Sequence, residues 1–103
     1  MSLSPSLISY ESEIMSFERA KASEHGIRIE FETHGQAKYY AARLHQARTV
    51  DRRDNTRIGG ESSPMHGRSE FDSIRIKLRE DEIGHWWVYL EKNDVIPGYV
   101  EDL

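Results

Sequence analysis

Apolar positions near the start of the chain recur at helical spacing: Leu7, Tyr10, Ile14 and Phe17. Ser4-Pro5 before them reads as an N-cap followed by proline at the first helical position. Lys21 and Ala22 continue the turn, and Gly26 suits a C-terminal stop, so the pattern predicts a helix over residues 5–24. The period then changes. In "GIRIEFET", Ile27, Ile29 and Phe31 alternate with Arg28, Glu30 and Glu32, the signature of a strand with one buried face. Thr33-His34-Gly35-Gln36 has the form of a capping box. It opens a second helix, expected from Gly35 to Asp54 and rich in Ala, Leu, Gln and Arg.

"NTRIGGESSPMHGRSE" holds three glycines, a proline and three serines, and reads as a long loop over residues 55–70. "FDSIRIKLRE" follows as a strand, with Ile74, Ile76 and Leu78 on one face and Arg75, Lys77 and Arg79 on the other. "DEIG" makes a turn. "HWWVYLEK" is a third strand, dividing into Trp86, Val88 and Leu90 against Trp87, Tyr89 and Glu91. Pro97-Gly98 ends the pattern, and "YVEDL" reads as an acidic tail. The order α-β-α-β-β predicts a single α+β domain over residues 1–103, with 1–4 and 98–103 as tails. Its last two strands form a hairpin, the second helix is a crossover, and a three-stranded sheet is packed by that Arg-rich helix. The first helix either lies beside the second or covers the other face of the sheet.

Composition narrows the classes. The 103 residues fit one domain, and the 37% hydrophobic and 31% charged content fits a modest core under a charged surface. No cysteine is present, which removes disulfides and thiolate metal sites and suits a reducing cytoplasm. No apolar run reaches membrane-spanning length, so no membrane partner is expected. "MSLSPSLISYESEIM" lacks the basic and apolar regions of a secretory signal. The net charge of −4 is unevenly spread. Residues 35–79 hold ten Lys/Arg against five Asp/Glu, while residues 80–103 hold one against seven. A basic centre between acidic ends implies either a polyanion-facing surface or neutralisation within the fold.

The segment "GQAKYYAARLHQARTVDRRDNTR" concentrates this charge. On a helical wheel Ala37, Tyr40, Ala41, Leu44 and Ala47 form a core stripe, with Arg48 at its margin. Tyr39, Arg43, Gln46, Val50 and Arg53 form a second side, and Lys38, His45, Thr49 and Arg52 a third. The bias to Arg favours a phosphate-bearing partner, because the guanidinium presents a planar fork to phosphate and stacks on bases. The candidate nucleic-acid-binding residues are Tyr39, Arg43, Arg52, Arg53, Arg57 and, from the loop, Arg68. Asp51 and Asp54 offer them local partners. The loop contains no P-loop pattern. A second candidate surface is the sheet face carrying Arg75, Lys77, Arg79, Trp87 and Tyr89, since basic residues interleaved with aromatics can stack bases. The favoured expectation for it is core packing: the first helix covers Trp87 and Tyr89, and Glu30 and Glu32 pair with Arg75 and Lys77.

His25, His34, His45, His66 and His85 show no metal-ligand spacing, and His45, His66 and His85 would have to meet in space to form a site. Glu80-Asp81-Glu82 reads as turn chemistry, and Glu70 and Asp72 as residues on different faces. No nucleophile elbow accompanies Ser62, Ser63 and Ser69. No cofactor, metal or catalytic residue is expected; a small nuclease-like hydrolase using His45 or His66 is the third-ranked reading.

The run "IRIEFETHGQAKYYAARLHQAR", with "GRSEFDSIRIKL" and "WWVYLE" after it, resembles small uncharacterised proteins of bacteriophages and other mobile elements. The resemblance covers residues 26–91, lies in compact size and a strand followed by an Arg-rich helix, and carries over no functional residue. It implies an accessory or regulatory protein that binds nucleic acid, DNA or RNA, or inhibits a host protein. The protein–protein alternative, including a homodimer, would use Glu91, Asp94, Val95, Ile96, Tyr99, Val100, Glu101 and Asp102.

Overall fold

Residues 5–59, 62 and 64–92 are described in a computed structural model of the chain, with the backbone alone at 58 and 59. The readings of Ser4, of both tails and of the apolar and acidic residues from Asp94 onward lie outside the described residues. A 3₁₀ segment, Pro5–Tyr10, leads into α1, Glu11–Ala22. β1 (Gly26–Phe31), α2 (His34–Gly59), β2 (Ile74–Glu80) and β3 (Trp86–Lys92) follow. The α+β class and the α-β-α-β-β order are as the periodicities predict. Among the described residues no helix is long and apolar enough to cross a membrane.

The sheet order is β1-β3-β2, with β3 central and antiparallel to both neighbours. β2 and β3 form the expected hairpin, and α2 carries the chain from one edge of the sheet to the other. Both helices pack on the same face. Ile14, Phe17 and Ala20 of α1 meet Ala37, Ala41, Leu44 and Ala47 of α2 and Ile74, Val88 and Leu90 of the sheet in one buried cluster. The alanine stripe lets α2 lie close to the strands. Tyr40 joins the helices through Ser16, 2.7 Å from its hydroxyl. Lys92 closes the C-terminal end of α1 by donating to the carbonyls of Lys21 and Ser23, where the helix dipole favours a cation.

Five local expectations are corrected. The first predicted helix begins as a 3₁₀ segment and becomes α-helical only at Glu11. It ends at Ala22 with Ser23 donating back to Arg19 and Ala20, so Gly26 is not its stop; Gly26 is the first residue of β1. α2 begins where Thr33 accepts from the Gln36 amide, as the capping box predicts, but runs to Gly59. The predicted loop is shorter by those residues, because side chains of α2 hold the returning chain from Gly67 onward. β2 starts at Ile74 rather than at Phe71, which turns into the core and stacks on Phe17 with ring centroids 4.8 Å apart. Finally, α1 does not cover Trp87 and Tyr89. Its apolar stripe is satisfied by Phe71 and α2 on the opposite face, and neither ring belongs to the core.

Candidate nucleic-acid interface

Most arginines of α2 are engaged inside the fold. Arg48 is buried, its Nη1 donating to the carbonyls of Phe71 (2.9 Å) and Ile74 (2.6 Å) while its guanidinium lies over Phe17. Arg52 pairs with Asp72 at 2.6 Å. Arg43 pairs with the buried Glu13 at 3.2 Å, donates to the Ser9 carbonyl and lies over the Tyr10 ring. Arg57 pairs with the buried Asp54 one turn earlier. Hydrogen bonds to uncharged groups extend the same lacing. Asp51 accepts from the Ser69 hydroxyl, Asn55 donates to the Arg68 carbonyl, and Thr56 accepts from the Gly67 amide. Burial holds the Asp51 carboxyl above its ordinary range against that hydroxyl bond. The C-terminal half of α2 is thus stapled to residues 67–74, the connection into β2.

The six candidate residues of the sequence therefore do not form one free basic surface. Tyr39 is two-thirds exposed. Arg43 is covered by the 3₁₀ segment and α1, which interrupts the stripe running from Tyr39 to Arg57. Arg52 faces Asp72 on another side. Arg53 and Arg68 are exposed and have no acidic partner among the described residues.

The opposite side of the molecule is different. The strand register sets out two rows across the sheet: Lys77–Tyr89–Arg28 and Arg79–Trp87–Glu30. Trp87 and Tyr89 are neighbours on one face of the central strand, both partly buried. Arg28 from one edge lies 4.1 Å from the Trp87 ring centroid, and Arg79 from the other edge lies 5.4 Å from that of Tyr89. Arg28, Arg75 and Arg79 are exposed and have no acidic partner among the described residues. Lys77 pairs with Glu91, not with the acids of β1, because β3 separates β1 from β2. Glu30 likewise turns away from Arg75, to His85. Sequence alternation assigns these residues to one face. Whether a helix covers that face depends on where α1 packs, which the period alone does not fix.

One end of this face carries a polar cluster. Asp81 accepts the amides of Ile83 (3.0 Å) and His85 (2.9 Å) on one oxygen and the Trp87 indole N–H (2.8 Å) on the other. The expected turn chemistry is present, and these donors, the indole first, hold the Asp81 carboxyl below its ordinary range. His85 Nδ1 lies 2.5 Å from Glu30 Oε2. Among the described residues, Glu30, Asp81 and His85 are the one group of three such side chains whose ligand atoms converge, within 4.8 Å of one another. His85 comes together with carboxylates, not with His45 and His66.

The histidines differ in a way that titration reads directly. The Glu30 hydrogen bond raises the His85 pKa above its ordinary 6.5, whereas burial, reinforced by Arg48 and Arg52, lowers that of His45. The stability His85 contributes is fully present below the unfolded imidazole's pKa and is lost as pH rises through the higher folded value. NMR titration in chelator-treated buffer is expected to show His85 losing its proton at higher pH than His45; the reverse order would contradict the Glu30–His85 pairing.

No family model, curated protein or solved structure matches the chain.

Proposed function

We propose that the chain is a small accessory protein that binds single-stranded nucleic acid on the open face of its sheet. One observation carries this reading: two adjacent aromatic rings on the central strand, left uncovered by both helices, are flanked by arginines that no described acid neutralises. Stacking on such rings is sequence-tolerant, since every base has a π-face, and the surrounding cations track the backbone. The arginines of α2 support the same choice by contrast. Arg43, Arg48, Arg52 and Arg57 already have partners within the fold, so their phosphate contacts would compete with the contacts that hold the domain together. A chain with a net charge of −4 repels polyanions unless its cations are grouped, and the sheet face groups them.

Fluorescence anisotropy with labelled oligo(dT) and oligo(U) at low salt tests the reading. A stacked base is worth about 1–3 kcal/mol, so Trp87→Ala and Tyr89→Ala are each expected to weaken binding roughly 5–150-fold. Trp87→Phe keeps a ring without the indole donor and is expected to retain most of the affinity. The Lys38→Ala, Arg53→Ala pair on α2 is expected to change affinity less than about twofold. Loss of binding in the α2 pair with none in the sheet variants would move the interface to the helix. No binding by the wild type at low salt would remove the nucleic-acid reading altogether.

A further inference from the structure

We propose that Glu30, Asp81 and His85 form a binding site for a divalent metal ion of zinc-like chemistry at the end of the open sheet face. The donor set is one imidazole nitrogen and two carboxylates from two separate parts of the chain. Such a mixed set suits a borderline ion, and three protein ligands leave a fourth position open to water or another ligand. With a neutral imidazole the two carboxylates match the charge of a dication.

The arrangement is fixed by the fold. Asp81 and His85 stand at the two ends of the β2–β3 turn, which closes through the Asp81 amide on the His85 carbonyl (2.9 Å) and a left-handed Gly84, φ 91°. The two amide bonds to one Asp81 oxygen lock its carboxylate within that turn. β1 supplies Glu30 through its register opposite Trp87. The ligand atoms of a tetrahedral ion with bonds of about 2.1 Å stand roughly 3.4 Å apart. The Nδ1–Oε2 contact of 2.5 Å must therefore open by about 0.9 Å, which the exposed Glu30 side chain allows. The ion takes the place of the proton that joins these two atoms, and that proton leaves to solvent. Asp81 Oδ1 accepts two amides, whereas Oδ2 accepts only the Trp87 indole among the described residues, and a carboxylate oxygen has room for a second partner. Metal bound there sits next to the indole N–H, so Trp87 reports on it.

Isothermal titration of the metal-free chain with Zn²⁺ at neutral pH is expected to show one ion bound, accompanied by a change in tryptophan emission. Glu30→Gln and His85→Ala should each weaken binding at least tenfold, with far-UV circular dichroism confirming that the fold is kept. His25→Ala, at an exposed histidine outside the cluster, should leave it unchanged. In Trp87→Phe the calorimetric binding should persist while the emission change is lost or reduced. Equal Zn²⁺ affinity in the wild type and His85→Ala would overturn the proposal, and so would Mg²⁺ or Ca²⁺ binding as tightly as Zn²⁺, since a loose acidic cluster would do that. None of these readouts requires nucleic acid, so the metal site stands or falls apart from the proposed binding face.

Discussion

Replacing Arg48 with alanine is expected to be the most destabilising change on α2, although the residue belongs to a segment that reads as a basic surface. Its guanidinium donates to two carbonyls of the turn that enters β2, Phe71 and Ile74, and only 9% of the residue is exposed. Truncation leaves both carbonyls without that donor, opens a cavity beside Phe17 and Phe71, and uncouples α2 from the start of β2. Removing a buried charged donor of this kind costs about 3–5 kcal/mol. For a domain of this size that lowers Tm by more than roughly 10 °C. Arg48→Lys should recover only part of the loss: both bonds come from the single Nη1, which an ammonium can imitate, but lysine lacks the guanidinium plane that lies over Phe17. Arg53→Ala, five residues on and exposed, should shift Tm by no more than about 2–4 °C, the size of a neutral surface change. A thermal melt of the three variants decides it. Equal, small shifts for Arg48 and Arg53 would mean that the buried bonds do not hold the connection.

This contrast shows what a single sequence can say about such a helix. The alanine and leucine stripe is readable because burial of one face imposes a 3.6-residue period, and Ala37, Ala41, Leu44 and Ala47 are all buried. The fate of each arginine is not readable. The residues that engage Arg43, Arg48 and Arg52 lie 20 or more positions away in sequence, and no local pattern links Arg52 to Asp72 or Arg43 to Glu13. The sheet was legible for the same reason as the helix stripe: Arg28, Lys77 and Tyr89 fall where a period of two puts them. That their face remains open follows from a long-range choice, the packing of α1 on α2 and Phe71, which no window of the sequence contains. The Glu30–Asp81–His85 cluster was invisible for a related reason. Asp81 and His85 are close in sequence, but Glu30 arrives only through the antiparallel register of β1 on β3.

Gly26→Ala is expected to have an effect nearly as large, at a residue the helix pattern alone would treat as a stop signal. Gly26 opens β1 with φ at 107°, a conformation that L side chains rarely adopt. A Cβ there would stand 2.0 Å from the Leu90 carbonyl oxygen and 3.0 Å from the Glu91 Cα. Both are backbone atoms of the central strand, so the clash cannot be relieved by a rotamer change. The start of β1 must separate from β3, with a cost of about 2–4 kcal/mol from combined strain and lost pairing. Gly35→Ala is the matched control. Gly35 lies in the first turn of α2 with negative φ, and an added Cβ would come no nearer than 4.0 Å to the Thr33 hydroxyl, so alanine should be neutral or add up to about 1 kcal/mol of stability. Urea denaturation of both variants separates close approach from a general dislike of alanine. The functional consequence distinguishes them as well. Arg28, two residues after Gly26, lies over Trp87, so fraying this end of β1 withdraws a cation from the aromatic pair and should weaken oligonucleotide binding even where the variant remains folded. A Gly26→Ala chain as stable as the wild type would show that β1 can shift its register at little cost, and the placement of Arg28 over Trp87 would then lose its structural basis.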